Sequence, residues 1–238
     1  MAKKSGNRRD QLTTGQKRKI SRLRKDLVRW YQVHGRDLPW RRDAAKEYEK
    51  ICVEVLLQRT RAEVVATIYT SFFQRYPTWN SLAGSEISEL EEVLRPLGLW
   101  RRRAQSIKSL ATYAAEHDGV FPSVESELRG VPAVGQYVGN AILMFQHGQA
   151  RPLVDVNMAR VLERFVRPRR LADIRHDPWL QAAGQWLVQA GDPCEVNWAV
   201  LDFAALVCRA RQPTCLECPV KARCKQGAGV ISGRVGET

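Results

Sequence analysis

Four cysteines, Cys208, Cys215, Cys218 and Cys224, follow one another with six, two and five residues between them. Loops of that length can turn four thiolates toward one inorganic centre, yet are too short to fold by themselves. Two centres take four cysteines, a structural zinc ion and a cubic iron–sulfur cluster. Zinc sites usually pair two Cys-x2-Cys knuckles, and only Cys215 and Cys218 form one here. The uneven spacing favours the cluster. Disulfides fit less well, because nothing else in the sequence suggests an oxidising compartment.

A chain of 238 residues can bury a good core and form one large or two small domains. No apolar run is long enough to span a bilayer. The basic start, Met1-Ala2-Lys3-Lys4, leads into no apolar stretch, so no signal peptide is expected. A reducing cytosol, in association with the nucleoid, is the expected location. Thirty-eight Lys and Arg against 25 Asp and Glu leave a net charge of +13. Such a field draws polyanions, and counterion release then makes the binding salt-dependent. The basic residues are spread over many segments rather than gathered on one amphipathic helix, which favours nucleic acid over an anionic membrane.

Residues 1–18, with Lys3, Lys4, Arg8, Arg9, Lys17 and Arg18, read as a flexible basic arm. Apolar residues then recur at helical steps, beginning with Ile20, Leu23, Leu27 and Trp30. Helices are expected over 48–58, 62–73, 87–94, 101–116, 124–129, 136–146, 157–165, 178–190 and 195–206. Strand-like alternation is missing throughout, so the chain reads as all-α. Between two of the short helices, Val131-Pro132-Ala133-Val134-Gly135 makes a tight turn. Gly135 is suited to unusual backbone angles, and the amides opening the second helix would face outward as anion donors.

Helix, V-P-A-V-G turn, helix, then Val154-Asp155-Val156-Asn157 and a four-cysteine loop: this order of parts resembles the helix–hairpin–helix DNA glycosylase superfamily. The resemblance runs from about Trp30 to Cys224 and is nearest the thymine mismatch type. It implies two helical domains flanking a DNA-binding cleft, a [4Fe-4S] cluster on the four cysteines, and a monomer acting on double-stranded DNA with a mismatched or damaged base. The domains expected are 46–151, a helical barrel carrying the hairpin at about 124–146, and 19–45 with 152–238, carrying the cluster loop.

The resemblance also implies roles. Asp155, which by itself would merely cap a helix, matches the catalytic aspartate that steadies positive charge on the deoxyribose or orients a water. Asn157 matches a polar companion. Tyr137 stands where bifunctional relatives have a lysine. A phenol cannot form their Schiff base, so base release without strand cleavage is implied. Glu54 lies in an apolar run, where it either faces solvent or is buried with a raised pKa; it matches a proton donor of the adenine enzymes.

The target base must leave the stack. Gln58, Arg59 and Thr60 match the family's intercalating loop, Leu99 and Trp100 its second wedge, and Val134, Gly135 and Gln136 its phosphate-binding hairpin. The Arg101-Arg102-Arg103 run is read as a phosphate grip. Gln58-Arg59-Thr60-Arg61 is nearer the thymine type than the adenine type. The end of the chain soon after Cys224, with no further domain, points the same way. The expected substrate is therefore thymine or uracil opposite guanine. Alternatives are adenine opposite 8-oxoguanine or guanine, another modified base, or a non-catalytic DNA-binding module. Ala133 stands where the family has glycine, at a cost of about 1 kcal/mol if a left-handed backbone is needed there.

Overall fold

The computed structural model describes residues 11–227, so the basic residues expected in an arm at 1–10 lie outside the described part. The described residues contain helices and no strand. They form two units: one is the contiguous stretch Asp37–Gln149, and the other joins the chain up to Arg36 with the chain from Ala150 onward.

In the discontinuous unit, α1 (Thr14–His34) starts inside the expected arm. Its start is fixed by a capping box: the Gln16 amide donates to Thr13 Oγ1 at 3.2 Å and the Thr13 amide to Gln16 Oε1 at 3.1 Å. Ile20, Leu23 and Leu27 repeat at three and four residues and bury one stripe. They pack with α9 (Val156–Phe165), α10 (Pro178–Val188) and α11 (Pro193–Leu206) around Trp179, Phe165 and Phe203. Asp177 and Asp192 each cap a helix whose first residue is proline. Gly35 caps the end of α1, where a Cβ would lie 2.6 Å from the Tyr31 ring and only glycine fits. Beyond it, the Arg36 amide and Nε both donate to fully buried Asp202 on α11, at 2.7 and 2.8 Å.

The contiguous unit is built on α2 (Glu47–Leu56), with α8 (Gln136–Phe145) and α6 (Trp100–Glu116) packed on it. Around them stand α3 (Ala62–Arg75), α4 (Trp79–Ala83), α5 (Ile87–Leu94) and α7 (Glu125–Leu128). The structure assigns the segment 37–45, expected with the terminal domain, to this unit instead. Leu38 and Trp40 explain the difference. Both are buried in this core, with the Trp40 ring 6.0 Å from Tyr69. Helix α4 was not expected. Its signal is Thr78, whose hydroxyl caps the Ser81 amide at 3.1 Å.

Candidate functional site

The segment leading to Asp155 is fixed from both sides. Asn197 on α11 accepts from the Leu153 amide at 2.8 Å and donates to Arg151 O at 3.0 Å. Gly184 on α10 permits close approach, since a Cβ there would meet Val154 at 2.9 Å. Asp155 caps α9 as its sequence position predicts: Oδ1 accepts from the Asn157 and Met158 amides at 2.9 and 2.8 Å. Oδ2 accepts from Asn157 Nδ2 at 2.5 Å. Burial pushes the Asp155 carboxyl above the usual carboxylate range, against the opposing pull of these hydrogen bonds and of the Arg160 charge.

Sequence reasoning missed Arg160 and Arg164, one and two turns along the same helix. Arg160 donates to Asn157 Oδ1 at 3.0 Å, and also to Cys208 O at 2.8 Å and Ala204 O at 3.0 Å. Arg164 reaches Cys208 Sγ at 3.5 Å and Arg209 O at 2.7 Å. Their spacing of three and seven residues from Asn157 is the helical signal that could have found them. A continuous set of hydrogen bonds therefore joins Asp155 to the cysteine loop.

Cys208, Cys215, Cys218 and Cys224 line one cavity, walled by Leu23, Phe165, Phe203 and Val220. All four are free thiols. Among the described residues no three His, Cys, Asp or Glu side chains are gathered for a single metal ion. The four thiols share one cavity, and four cysteines are a donor set that a structural zinc or a cubic iron–sulfur cluster can take. Burial, then the charge of neighbouring cysteines, pushes the Cys215 and Cys218 thiols up. A positive centre bound between them would take these thiols as thiolates. The residues fit a cubic cluster, with Arg164 as a donor to one sulfur.

In the contiguous unit, Glu54 is only 2% exposed. Of its two expected fates the structure selects burial. Tyr137, on α8, donates its hydroxyl to Glu54 Oε2 at 2.9 Å. The hairpin runs from α7 to α8 through 129–135, and α8 has no side-chain cap. Its first amides are the kind of donors that phosphate takes. Gly135 has φ −91°, an ordinary value, so the angle-based reason for this glycine does not hold. Ala133 carries the left-handed backbone, with φ +62°. Ala133→Gly is therefore expected to raise unfolding free energy by about 1 kcal/mol, measured by denaturant titration.

The expected wedge residues occupy two loops of this unit. Gln58 and Arg59 are exposed and Thr60 is partly covered. Leu99 is 58% exposed, whereas Trp100 is half-buried against the core with Arg101 stacked 3.9 Å from its ring. Leu99, not Trp100, is the projecting side chain. Arg101 and Arg102 are exposed as a phosphate grip requires. Arg103 is not: it is 6% exposed, and its helix face turns inward.

Residues 52–173 match the model of the HhH-GPD superfamily of base excision DNA repair proteins. The chain belongs to that superfamily. Among its relatives, the thymine-DNA glycosylase of Aeropyrum pernix is 36% identical over 214 residues, covering 87% of this chain and 95% of that protein. The human adenine DNA glycosylase is 32% identical over 87% of this chain and 39% of its own length. A solved thermostable thymine-DNA glycosylase superposes with a TM-score of 0.80 at 26% identity, covering 89% of this chain and 97% of that one. With both kinds of enzyme among its relatives, this HhH-GPD protein is a DNA glycosylase of base excision repair. None of its described helices is long and apolar enough to cross a membrane.

Proposed function

We propose that the protein removes thymine or uracil opposite guanine from double-stranded DNA by hydrolysis alone, without a lyase step. The observation that carries this reading is the hydrogen bond from Tyr137 to buried Glu54. A phenol held by a carboxylate occupies the place where a strand-cleaving relative needs an amine. It has no nitrogen with which to form an imine at the sugar.

In this reading Asp155 acts as a carboxylate. Departure of the base leaves positive charge on the deoxyribose. Asp155, held by two amides and Asn157, stabilises that charge or aligns the water that attacks. Asn157 fixes which way the carboxylate faces. The amides that open α8 after the 129–135 hairpin and the +13 net charge favour the DNA backbone. The thymine-DNA glycosylase relative, similar over 95% of its length, supports the choice of base.

The direct test is a duplex panel: G·T, G·U and A·8-oxoguanine, each followed by alkaline cleavage at abasic sites. Release from the first two is expected. Release confined to adenine overturns the choice of base, and tight binding without release from any duplex overturns catalysis.

The same reading places a [4Fe-4S] cluster on Cys208, Cys215, Cys218 and Cys224, where a bound cluster would supply four iron–thiolate bonds that close the loop. The purified protein is expected to be brown, with four irons per chain as a cubic cluster requires, measured by metal analysis. Stoichiometric zinc without iron would contradict it. Cys208→Ser is expected to lower the melting temperature and the iron content together.

A further inference from the structure

The Arg103 side chain is almost fully buried, and no carboxylate pairs with it among the described residues. Its guanidinium instead reads carbonyls. Nη1 donates to Leu56 O at 2.6 Å and Val55 O at 3.4 Å, closing the end of α2. Nη2 donates to Gln58 O at 3.1 Å and Thr60 Oγ1 at 2.7 Å. Nε lies 3.4 Å from Gly98 O. Thr60 Oγ1 in turn reaches Leu97 O at 3.2 Å, and the Arg103 amide bonds Leu99 O at 3.0 Å.

These contacts have a pattern. Arg59 and Leu99 are both non-glycine residues with left-handed backbones, at φ +58° and +48°. The carbonyls just before them, those of Gln58 and Gly98, are bonded by the same guanidinium. Strained loop tips persist only where surrounding groups over-determine them. A planar fork with five N–H donors can hold several carbonyls at fixed angles, which an ammonium cannot. Burying such a cation disfavours its charge and lowers its pKa from the ordinary value. That cost is offset only by acceptors arranged as these are.

We propose that Arg103 is a positioning residue for base extrusion, locking the 58–60 and 97–99 loops into one rigid double wedge. The inference rests on the glycosylase reading above, and it adds the part that keeps both wedge tips set before DNA arrives. Arg103 does not touch the reacting atoms. It acts through the Arg59 and Leu99 backbones, so its loss should slow extrusion and leave the chemistry of release alone.

The test uses the full chain with Arg103→Lys and Arg103→Met. Base release from a G·U duplex is followed under single turnover with enzyme in excess. A second duplex carries 2-aminopurine beside a 2′-fluorinated, non-cleavable target, so that fluorescence reports unstacking without chemistry. For Arg103→Lys, with helix content unchanged by circular dichroism, release should fall by about 100-fold, the size expected when a supporting group lets a site drift by roughly 1 Å. The fluorescence rise should be lost, while the pH profile of the residual rate keeps the wild-type shape. A merely structural role would reduce the fraction of active molecules and leave the rate constant and fluorescence per folded molecule intact. That result in either variant overturns the proposal. If Arg103→Met fails to fold, Arg103→Lys decides alone. Absence of release by the wild-type protein counts against the glycosylase reading, and the fluorescence measurement still judges the wedge.

Discussion

Asp155→Asn is expected to lower single-turnover base release by about 1,000-fold, the scale on which removal of one preorganised electrostatic contact acts, or about 4 kcal/mol of barrier. Asparagine keeps one oxygen for the Asn157 and Met158 amides, so α9 should remain capped. Its amide nitrogen, however, would face Asn157 Nδ2, now 2.5 Å from Oδ2. Two donors would then meet, and Asn157 can turn away only by giving up its bond from Arg160. Activity within 10-fold of wild type would remove Asp155 from the chemistry.

The same carboxyl sets a pH dependence. Its pKa is raised, chiefly by burial, and the carboxylate is the working form. Release should therefore climb with pH and level off only above the ordinary carboxyl range. Stability runs the other way. A group that holds its proton more tightly when folded contributes stability below its unfolded pKa, and that contribution is lost as pH rises through the folded value. The difference in unfolding free energy between wild type and Asp155→Asn should thus fall over that window, measured by denaturant titration at several pH values.

Tyr137→Lys is the second large effect, because it adds a reaction. The introduced amine would replace a hydroxyl bonded to Glu54 Oε2 at 2.9 Å. Attack on the sugar C1′ expels the base, and opening of the sugar ring at the C1′–O4′ bond then leaves an imine, which borohydride reduces to a stable amine. A covalent protein–DNA band should appear with the variant and not with wild type. The Glu54 carboxylate favours the ammonium form, so trapping should strengthen as pH rises. Efficient capture of the wild-type chain would end the claim of hydrolysis alone.

Much of this architecture was legible because helices declare themselves by period. Ile20, Leu23 and Leu27 mark α1, and Ile51, Val55 and Leu56 mark α2, as their burial bears out. Asp155 was legible as a helix cap, since its place just before α9 is where a carboxylate meets free amides. The failures have a common physical source. Helix α4 spans five residues, too few for a period to repeat, and only the Thr78 cap betrays it. Three consecutive arginines look alike in sequence, but 100° per residue turns Arg103 inward while its neighbours stay out. Glycine at 135 suggested a left-handed turn, yet alanine at 133 carries it. Which residue of a tight turn is strained depends on the path of the chain, not on its most permissive letter. Segment 37–45 was assigned to the wrong unit because a short loop has no pattern that names its partner core.

The order of the two units along the polypeptide has a consequence for how the enzyme is born. Asp37–Gln149 is one uninterrupted stretch, whereas the other unit needs both α1 and the chain from Ala150 onward. A ribosome working from the N-terminus makes the stretch bearing Glu54, Leu99 and Tyr137 before it makes Asp155 and the cysteines. Units tend to fold as they emerge, so this one can close first. Helix α1 must then wait, its apolar stripe open, until the last third of the message has been read.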